Sequence, residues 1–579
     1  MWWKNATVYQ IYPASFKDSN GDGIGDIPGI HSQLDYIQSL GVDAIWLCPI
    51  YDSPQHDMGY DVSNYEAIYP PYGTVEDVEK LIAACHARGL RILMDLVVNH
   101  TSDEHAWFQE SRSSLSSPKR DWYIWRPPRL DAAGQRRPPN NWRSCFGGSA
   151  WAWDEATGEY YLHLFAAQQP DLNWENPATR AAIYAAALEF WLRKGIDGFR
   201  VDTANTYSKH TSFPDAPVSN PAHEYQYASP LFCNGPRIHD YLREMAAILK
   251  KYNAMTVGEL PLTPNPADVL AYVSAQESQL DMVFQFDIVE LGTGPDMRYH
   301  TTPRNWTLPD LKARVQATQA LMDGTTDGWS TAFLENHDQG RSISRWGCET
   351  TPSLWSASAK LLCILVTTLS GTLFLYQGQE IGMVNAPLSW DIDTEYKDVE
   401  SKNYYAFVRA SSSSSSSSSA LAAAKSALQH LARDHARLPM QWDGTPHAGF
   451  TVPDATPWMR AHDNHPDINV KRQTLDAHSV LSFWKKMLSI RKAYPDVFAR
   501  GVFAHVDPED ERLFMFEKRG EGRRVLVVLN FRDEVQEVRL EGLLGGRYEL
   551  LVSNNVEIGE GEGMSMHVLQ PYEARVYLV

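Results

Sequence analysis

Gly198-Phe-Arg-Val-Asp202 is the stretch whose reading decides the fold. Its apolar residues predict a short buried strand that carries Arg200 and Asp202 to its C-terminal end. Upstream, Asn176-Pro177 opens a helical run that ends at Lys194-Gly195, since asparagine caps a helix and proline suits its first turn. The unit is therefore helix, glycine, buried strand and polar side chain, and it recurs in both directions from here.

Toward the N-terminus, residues 91–98 form another apolar strand ending in Asn99-His100. The helix before it places Val78, Leu81, Ile82 and Cys85 on one face and is closed by Gly89. Earlier still lie a strand at 44–47, a loop with Asp57-Met-Gly-Tyr60-Asp61, a strand at 7–12, a polar loop at 18–26, and a helix stopped by Gly41. Toward the C-terminus come a helix at 238–251 and strand 255–257 before Gly258-Glu259. Strands follow at 281–286, at 331–334 before Glu335-Asn-His-Asp338, and at 372–376 before Gln377-Gly-Gln-Glu380. About eight strands alternating with helices imply a parallel sheet. The polar residues follow the strands in several units, where a (β/α)8 TIM barrel builds its active site. A doubly wound sheet would gather function at one switch point, and no Gly-x-Gly-x-x-Gly or phosphate-loop pattern follows a strand. The α/β barrel is the predicted fold.

Between 101 and 174 the alternation breaks into a Trp-, Ser-, Pro- and Arg-rich stretch with short aromatic strands such as 159–165. It is too long for a loop and is predicted to be an inserted small domain after the third strand, leaving 1–100 and 175–497 to the barrel. Residues 411–419 are consecutive serines, expected to form a flexible surface insertion, and the Ala-rich segment after them suits a helix. Short strands at 512–517, 524–530 and 535–540 predict a C-terminal antiparallel β-sandwich over 498–579.

A formal charge of −19 with no basic run argues against nucleic acid, whose phosphates need clustered Lys and Arg. The apolar run 361–376 is too short and too interrupted by Thr, Ser and Gly to span a bilayer, and is expected as a buried helix followed by a buried strand. The N-terminal Met-Trp-Trp-Lys-Asn-Ala-Thr lacks the pattern of a signal peptide. Cysteines 48, 85, 145, 233, 348 and 363 form no CxxC pair and read as free thiols in a reducing compartment, so the expected location is cytoplasmic. Nineteen tryptophans and 27 tyrosines exceed what a core needs and suit a site where sugar faces pack on rings. A small oligosaccharide is the expected partner, with no nucleic acid and no membrane, for a monomer or homodimer.

Asp202, Glu259 and Asp338 end three different strands. Any one of them reads as a solvated strand end; all three together, each after a buried strand, suit glycoside hydrolysis. That reaction needs a nucleophile and an acid/base, and tolerates a third carboxylate that steadies the oxocarbenium-like transition state. Arg200, on the same strand face as Asp202, would keep it ionised, whereas a dry setting after Met255-Thr-Val257 would keep Glu259 protonated.

Asp95-Leu-Val-Val-Asn-His100, Gly198-Phe-Arg-Val-Asp202, Thr256-Val-Gly-Glu259 and Glu335-Asn-His-Asp338 together resemble the α-amylase family of retaining glycoside hydrolases. The opening Trp2-Trp3-Lys, Tyr9-Gln-Ile-Tyr-Pro-Ala-Ser-Phe16 and Ala432-Arg-Asp-His-Ala-Arg437-Leu-Pro-Met-Gln-Trp442 resemble its branch of α-glucosidases and oligo-1,6-glucosidases. The resemblance spans nearly the whole chain. It implies Asp202 as nucleophile, Glu259 as acid/base and Asp338 as transition-state stabiliser. It also implies that Asp57, Tyr60, His100, Arg200, His337 and Arg437 hold the nonreducing-end glucose, with Phe165 lining the pocket and an Asp57–Arg437 pair closing its inner end. Alone, His100 and His337 would read as core residues; the motifs make them functional.

The loop at 18–26 places Asp18, Asn20, Asp22 and Asp26 at positions 1, 3, 5 and 9 of a calcium loop, with Gly23 at 6 and the Ile24 carbonyl at 7; position 12 is Gly29, without the usual Glu. The resemblance places a structural calcium ion here and no organic cofactor. The Asn99-His-Thr101 sequon lies beside His100 and is not expected to carry a glycan. Thr203 follows the nucleophile, and in this branch Thr resembles the α-1,4-preferring maltases, whereas Val resembles the α-1,6-preferring enzymes. Maltose, sucrose and short α-1,4 oligosaccharides are thus the expected substrates, with isomaltose as runner-up. Transglucosylating relatives carry an Arg-rich loop that Gln339-Gly-Arg-Ser-Ile-Ser-Arg345 does not match. Inactive transporter-associated relatives carry a membrane helix and lose the carboxylates, unlike this chain.

Overall fold

The computed structural model describes residues 1–294, 305–411, 417–544, 548–555 and 566–579. The predicted alternation closes on itself. Strands β1 (Thr7–Ile11), β2 (Ala44–Leu47), β3 (Arg91–Leu96), β4 (Gly198–Val201), β5 (Met255–Leu260), β6 (Met282–Gln285), β7 (Thr331–Ala332) and β8 (Thr372–Tyr376) form one eight-stranded sheet in the order β6-β5-β4-β3-β2-β1-β8-β7. Its ladders are parallel, and β1 pairs with β8. The remaining seam, from β6 to β7, is bridged by side chains: Ser330 and Thr331 hydroxyls donate to the Val283 carbonyl at 3.2 and 3.1 Å. With a ladder on one side only, β7 is shorter than the predicted 331–334.

Strands buried on both faces read as apolar runs, which is why these segments were legible. The interior is filled by rings rather than left open, with Trp46–Phe284 and Phe284–Phe374 centroids 5.5 and 4.6 Å apart. Gly198 starts the deciding strand because a Cβ there, at φ +156°, would lie 2.0 Å from the Met255 carbonyl. The helical run before it is capped as expected: Asn176 Oδ1 accepts from Ala178 N at 2.8 Å, and Gly195 is left-handed. A π-helical turn, Tyr184–Glu189, interrupts it. The run 361–376 resolves into helix Pro352–Thr368 and β8.

Between β3 and β4, Trp125–Arg126, Glu159–Leu162 and Trp151–Asp154 make a three-stranded antiparallel sheet. Its last strand stops before the predicted 165 because Leu164 N donates to the Asp171 carboxylate instead of to a neighbouring strand. The core under this sheet joins Trp142, Trp151 and Leu162 to Phe213, Phe232 and Cys233 from the loop after β4. In packing, that loop and the insertion form one unit.

At the C-terminus, β9 (Val502–His505), β10 (Leu513–Arg519), β11 (Arg524–Asn530), β13 (Glu549–Ser553) and β15 (Ala574–Leu578) form an antiparallel sheet in the order β9-β10-β11-β15-β13. The pair β12 (Gln536–Arg539) and β14 (Met566–Leu569) packs over it through Met515, Leu526, Val528, Val538 and Leu569, giving the predicted sandwich. Of the serine run read as a flexible insertion, residues 412–416 lie outside the described residues; Ser411 ends helix Val399–Ser411 and the Ala-rich segment lies in helix Ser417–Leu431. Among the described residues no helix is long and apolar enough to cross a membrane.

Candidate active site

The deciding strand delivers a buried guanidinium to the barrel mouth. Arg200 Nη1 donates to Asp202 Oδ1 at 2.7 Å and to Asp95 Oδ1 at 2.8 Å, while Nη2 meets Glu259 Oε2 at 2.8 Å. Asp95 comes from β3, Asp202 follows β4, and Glu259 lies within β5, which runs on past the predicted 257. Three carboxyls on adjacent strands thus share one cation.

Burial pushes Asp202 and Glu259 each up to about 7 and Asp95 up to about 6, against the pull of Arg200. The expected division, with the arginine serving Asp202 and dryness serving Glu259, is corrected: both carboxyls feel both influences because one guanidinium bridges them. One cation cannot balance three ionised carboxyls, so the cluster favours keeping a proton. Geometry places it. Glu259 Oε2 takes both Arg200 Nη2 and, at 3.1 Å, Thr203 N, while Oε1 accepts no hydrogen bond from any described residue and is free to hold a proton. Thr203 serves both partners, since its Oγ1 donates to Asp202 Oδ2 at 3.2 Å. It does so at φ +38°, a strained conformation for a β-branched residue.

A second cluster faces the first. Asp338 Oδ1 takes Arg437 Nη2 at 2.8 Å and Arg433 Nη1 at 3.3 Å. The expected Asp57–Arg437 pair does not form: Asp57 Oδ1 instead takes Arg433 Nη2 at 2.9 Å, and Arg437 turns to Asp338 and, at 3.0 Å, to Asp398. Asp398, fully enclosed, draws both arginines toward itself, and the nearer of them to Asp57 is Arg433. Burial would raise Asp398, but Arg433 and Arg437 outweigh it and hold the carboxyl below its ordinary range. His337 joins the clusters. Its Nε2 lies 2.6 Å from Tyr60 Oη and 3.3 Å from Asp338 Oδ2, its ring stacks on Tyr60, and burial lowers it to about 3, so it is neutral.

Both clusters border one cavity of about 220 Å³. Asp57, Tyr60, His100, Phe165, Asp202, Thr203, Glu259 and Asp338 line it; Arg200, His337 and Arg437 do not, and stand behind the residues that do. Four residues missed in the sequence matter here. Asp95 sits in a strand that is otherwise apolar after Arg91, and a charge in that run was its signal. Arg433 lies in the same quoted motif as Arg437. Gln169, whose Nε2 donates to Asp57 Oδ2 at 3.2 Å, and Asp398 sit in irregular segments that offered none. Arg341 and Arg345, in the stretch after Asp338, are buried against Glu335 and against the Val289 and Leu291 carbonyls, so neither faces the cavity. Asn99 is wholly buried, which closes the sequon to a glycan.

The 18–26 loop lies apart from this cavity. Its donor types are those calcium takes, side-chain oxygens of Asp18, Asn20, Asp22 and Asp26 with the Ile24 carbonyl, but the second Asp18 oxygen already accepts from Gly23 N and Thr451 Oγ1, and the Asp26 oxygens from Ser19 and Gly29 N. Asp18 Oδ1 accepts from Asn20 N and Gly21 N at 2.9 and 2.7 Å, and Asp26 caps the following helix through Gly29 N. Asn20 Oδ1 and Asp22 Oδ1 each accept one N–H at 2.8 Å and keep a lone pair. Among the described residues no group of three or more His, Cys, Asp or Glu gathers as a metal site.

Residues 10–501 match the alpha amylase catalytic domain model. An α-glucosidase of Candida albicans is 51% identical over 100% of this chain and 99% of its own length. An oligo-1,6-glucosidase of Saccharomyces cerevisiae, IMA5, is 45% identical over 100% and 98%. Among solved structures, the trehalulose synthase MutB of Pseudomonas mesoacidophila MX-45 superposes with a TM-score of 0.89 at 38% identity, covering 100% of this chain and 99% of that one. The trehalose-6-phosphate hydrolase of Bacillus licheniformis matches with the same TM-score of 0.89, identity of 38% and coverage of 100% and 99%. With three carboxyls at the C-terminal mouth of an eight-stranded barrel and full-length relatives of this kind, the chain belongs to the alpha-amylase family and is a glycoside hydrolase of its α-glucosidase branch.

Proposed function

We propose that the enzyme is a retaining, exo-acting α-glucosidase that releases glucose from the nonreducing end of maltose, sucrose and short α-1,4 oligosaccharides. The observation that carries this reading is the arrangement of Asp202 and Glu259 on one guanidinium, opposite Asp338, around a cavity walled at one side by the Asp57–Arg433 pair. Glu259 gives its proton to the glycosidic oxygen as the bond from C1 to that oxygen breaks, and an Asp202 carboxylate oxygen forms the new bond to C1. Glu259, now a base, takes a proton from water as the water oxygen displaces Asp202 and the stereochemistry at C1 is restored. Asp338 faces the developing positive charge. The ion pair at the wall stops a longer chain from running through, which is what exo-action requires. Glucose release from maltose by Asp202→Asn at near-native rate would sink the nucleophile assignment.

Hydrolysis of α-1,6 linkages is the second reading, favoured by the named relative IMA5; Thr203, at the cavity wall beside the nucleophile, favours α-1,4. Comparing rates on maltose, isomaltose and sucrose decides between them. A calcium ion in the 18–26 loop would be structural, held by Asp18, Asn20, Asp22, Asp26 and the Ile24 carbonyl. Millimolar calcium is then expected to raise Tm by a few degrees over EDTA-treated protein, in proportion to RT ln(1 + [Ca]/Kd); identical melts argue for a plain turn. The six free thiols suit a reducing compartment, and a cytoplasmic location follows; fractionation of the native cell checks it.

A further inference from the structure

The chain leaves β5 through a turn that leucine is ill suited to make. Leu262 follows Pro261 there and sits at φ +57°, in the left-handed region where glycine or asparagine is usual. Its side chain has no polar atom to hydrogen-bond the backbone and offset the strain. Among the described residues, two non-glycine residues with positive φ border the substrate cavity, Thr203 and Leu262. Thr203 bonds both Asp202 and Glu259, so its conformation has a use; the proposed chemistry gives Leu262 none.

The surroundings fix the turn. The Pro261 carbonyl accepts from Asn205 Nδ2 at 2.6 Å, and the Thr263 hydroxyl accepts from the same nitrogen at 2.8 Å. Both neighbours of Leu262 are thus tied to one buried amide in the loop after β4. Asn234 adds a second tie: its backbone N donates to the Asn205 carbonyl at 2.8 Å, and its Nδ2 to the Thr263 hydroxyl at 3.2 Å. With its flanks pinned, residue 262 reverses the chain whatever side chain it carries. Leucine in place of glycine is then explained by the surface its side chain presents.

That surface lies at the mouth of the cavity. Asp57 and His100, joined through Gln169 Nε2 at the walled end, are buried, whereas Leu262 is 36% exposed and borders the same cavity. It also comes three residues after Glu259, whose proton goes to the leaving oxygen. The group that departs with that oxygen therefore lies on the Leu262 side of the breaking bond.

We infer that Leu262 is a specificity-determining residue for the leaving group, its apolar side chain packing on the C–H face of the second sugar ring of an oligosaccharide. This rests on the α-glucosidase reading, which gives the walled end to the nonreducing glucose and proton delivery to Glu259. The test compares kcat/KM for maltose, whose leaving group is a sugar ring, with that for α-glucosyl fluoride, whose leaving fluoride carries no ring to meet Leu262. Leu262→Asn tolerates the left-handed backbone and keeps the branching, and is expected to lower the maltose-to-fluoride ratio about 10-fold. Leu262→Met keeps an apolar chain and should hold the ratio within about 2-fold of native. Leu262→Gly gives a second route should Leu262→Asn fold poorly; it removes the same side chain while easing the backbone, so the ratio should fall as far. A merely structural role would lower both substrates alike. An unmoved ratio in Leu262→Asn or Leu262→Gly therefore overturns the inference, and so does an equal fall in Leu262→Met. A native enzyme that cleaves neither substrate defeats the α-glucosidase reading; one that cleaves both, with variants that leave the ratio unmoved, defeats this inference alone.

Discussion

Around Arg200, three carboxyls share one guanidinium; around Arg433 and Arg437, four carboxyls, Asp57, Asp338, Asp398 and Glu400, share two. The residue types are alike, but Asp338 is only partly buried, and the outcomes differ. In the first cluster burial wins and Asp202 and Glu259 rise to about 7, so a proton is held and can move. In the second, the extra arginine wins at Asp398, which stays ionised below its ordinary range. At Asp398, which both arginines touch, the cations outweigh burial; at Asp57, which Arg433 alone touches, burial wins again and the carboxyl is raised.

The largest effect should come from the first cluster. Asp202→Asn or Glu259→Gln is expected to lower kcat/KM for maltose by at least about 10⁴-fold, mainly in kcat, as the loss of groups acting as a unit does. A stopped-assay glucose measurement decides it. Arg433→Met strikes the second cluster and leaves Asp57 without its cation; kcat/KM is expected to fall about 10²–10³-fold, with KM carrying much of the loss. If Arg433→Met instead behaved like Glu259→Gln, with kcat taking the whole loss, the contrast between the clusters would collapse.

Two smaller tests sharpen it. The proposed mechanism needs Asp202 ionised and Glu259 protonated, so kcat/KM should trace a narrow bell centred near pH 7. The same raised pKa makes the folded state bind more protons than the unfolded chain between pH 4 and 7, so ionising Asp202 costs stability as pH rises through that window. Asp202→Asn should accordingly raise Tm by roughly 2 °C at pH 8, with the gain vanishing near pH 4; an equal gain at both pH values would deny that the carboxyl is raised by its fold. Thr203→Val removes the hydroxyl on Asp202 while keeping the shape. The isomaltose-to-maltose rate ratio is expected to rise about 10-fold, read from parallel initial rates.

Much of this was legible because barrel strands are buried on both faces and announce themselves as apolar runs ending in polar residues. Asp202, Glu259 and Asp338 were readable for that reason. Gln169 and Asp398 were not: each lies in irregular chain, and nothing local marks which distant charge it will meet. Arg433 and Arg437 stood side by side in one motif, but which of them would reach Asp57 depended on where Asp398 sat. Likewise, nothing local to Lys209 showed that it would be buried against Asp171 and Asn99.

By itself, the sequence determined the barrel, the insertion after its third strand, the C-terminal sandwich and the strand ends that bear the carboxyls, because periodicity, caps and glycine stops are local properties. Only the tertiary structure decided how many cations each carboxyl would share, that Thr203 would be strained between Asp202 and Glu259, and that the wall pair would be Asp57–Arg433. Electrostatic balance is set by distances across the fold, and those exist only once the chain has closed.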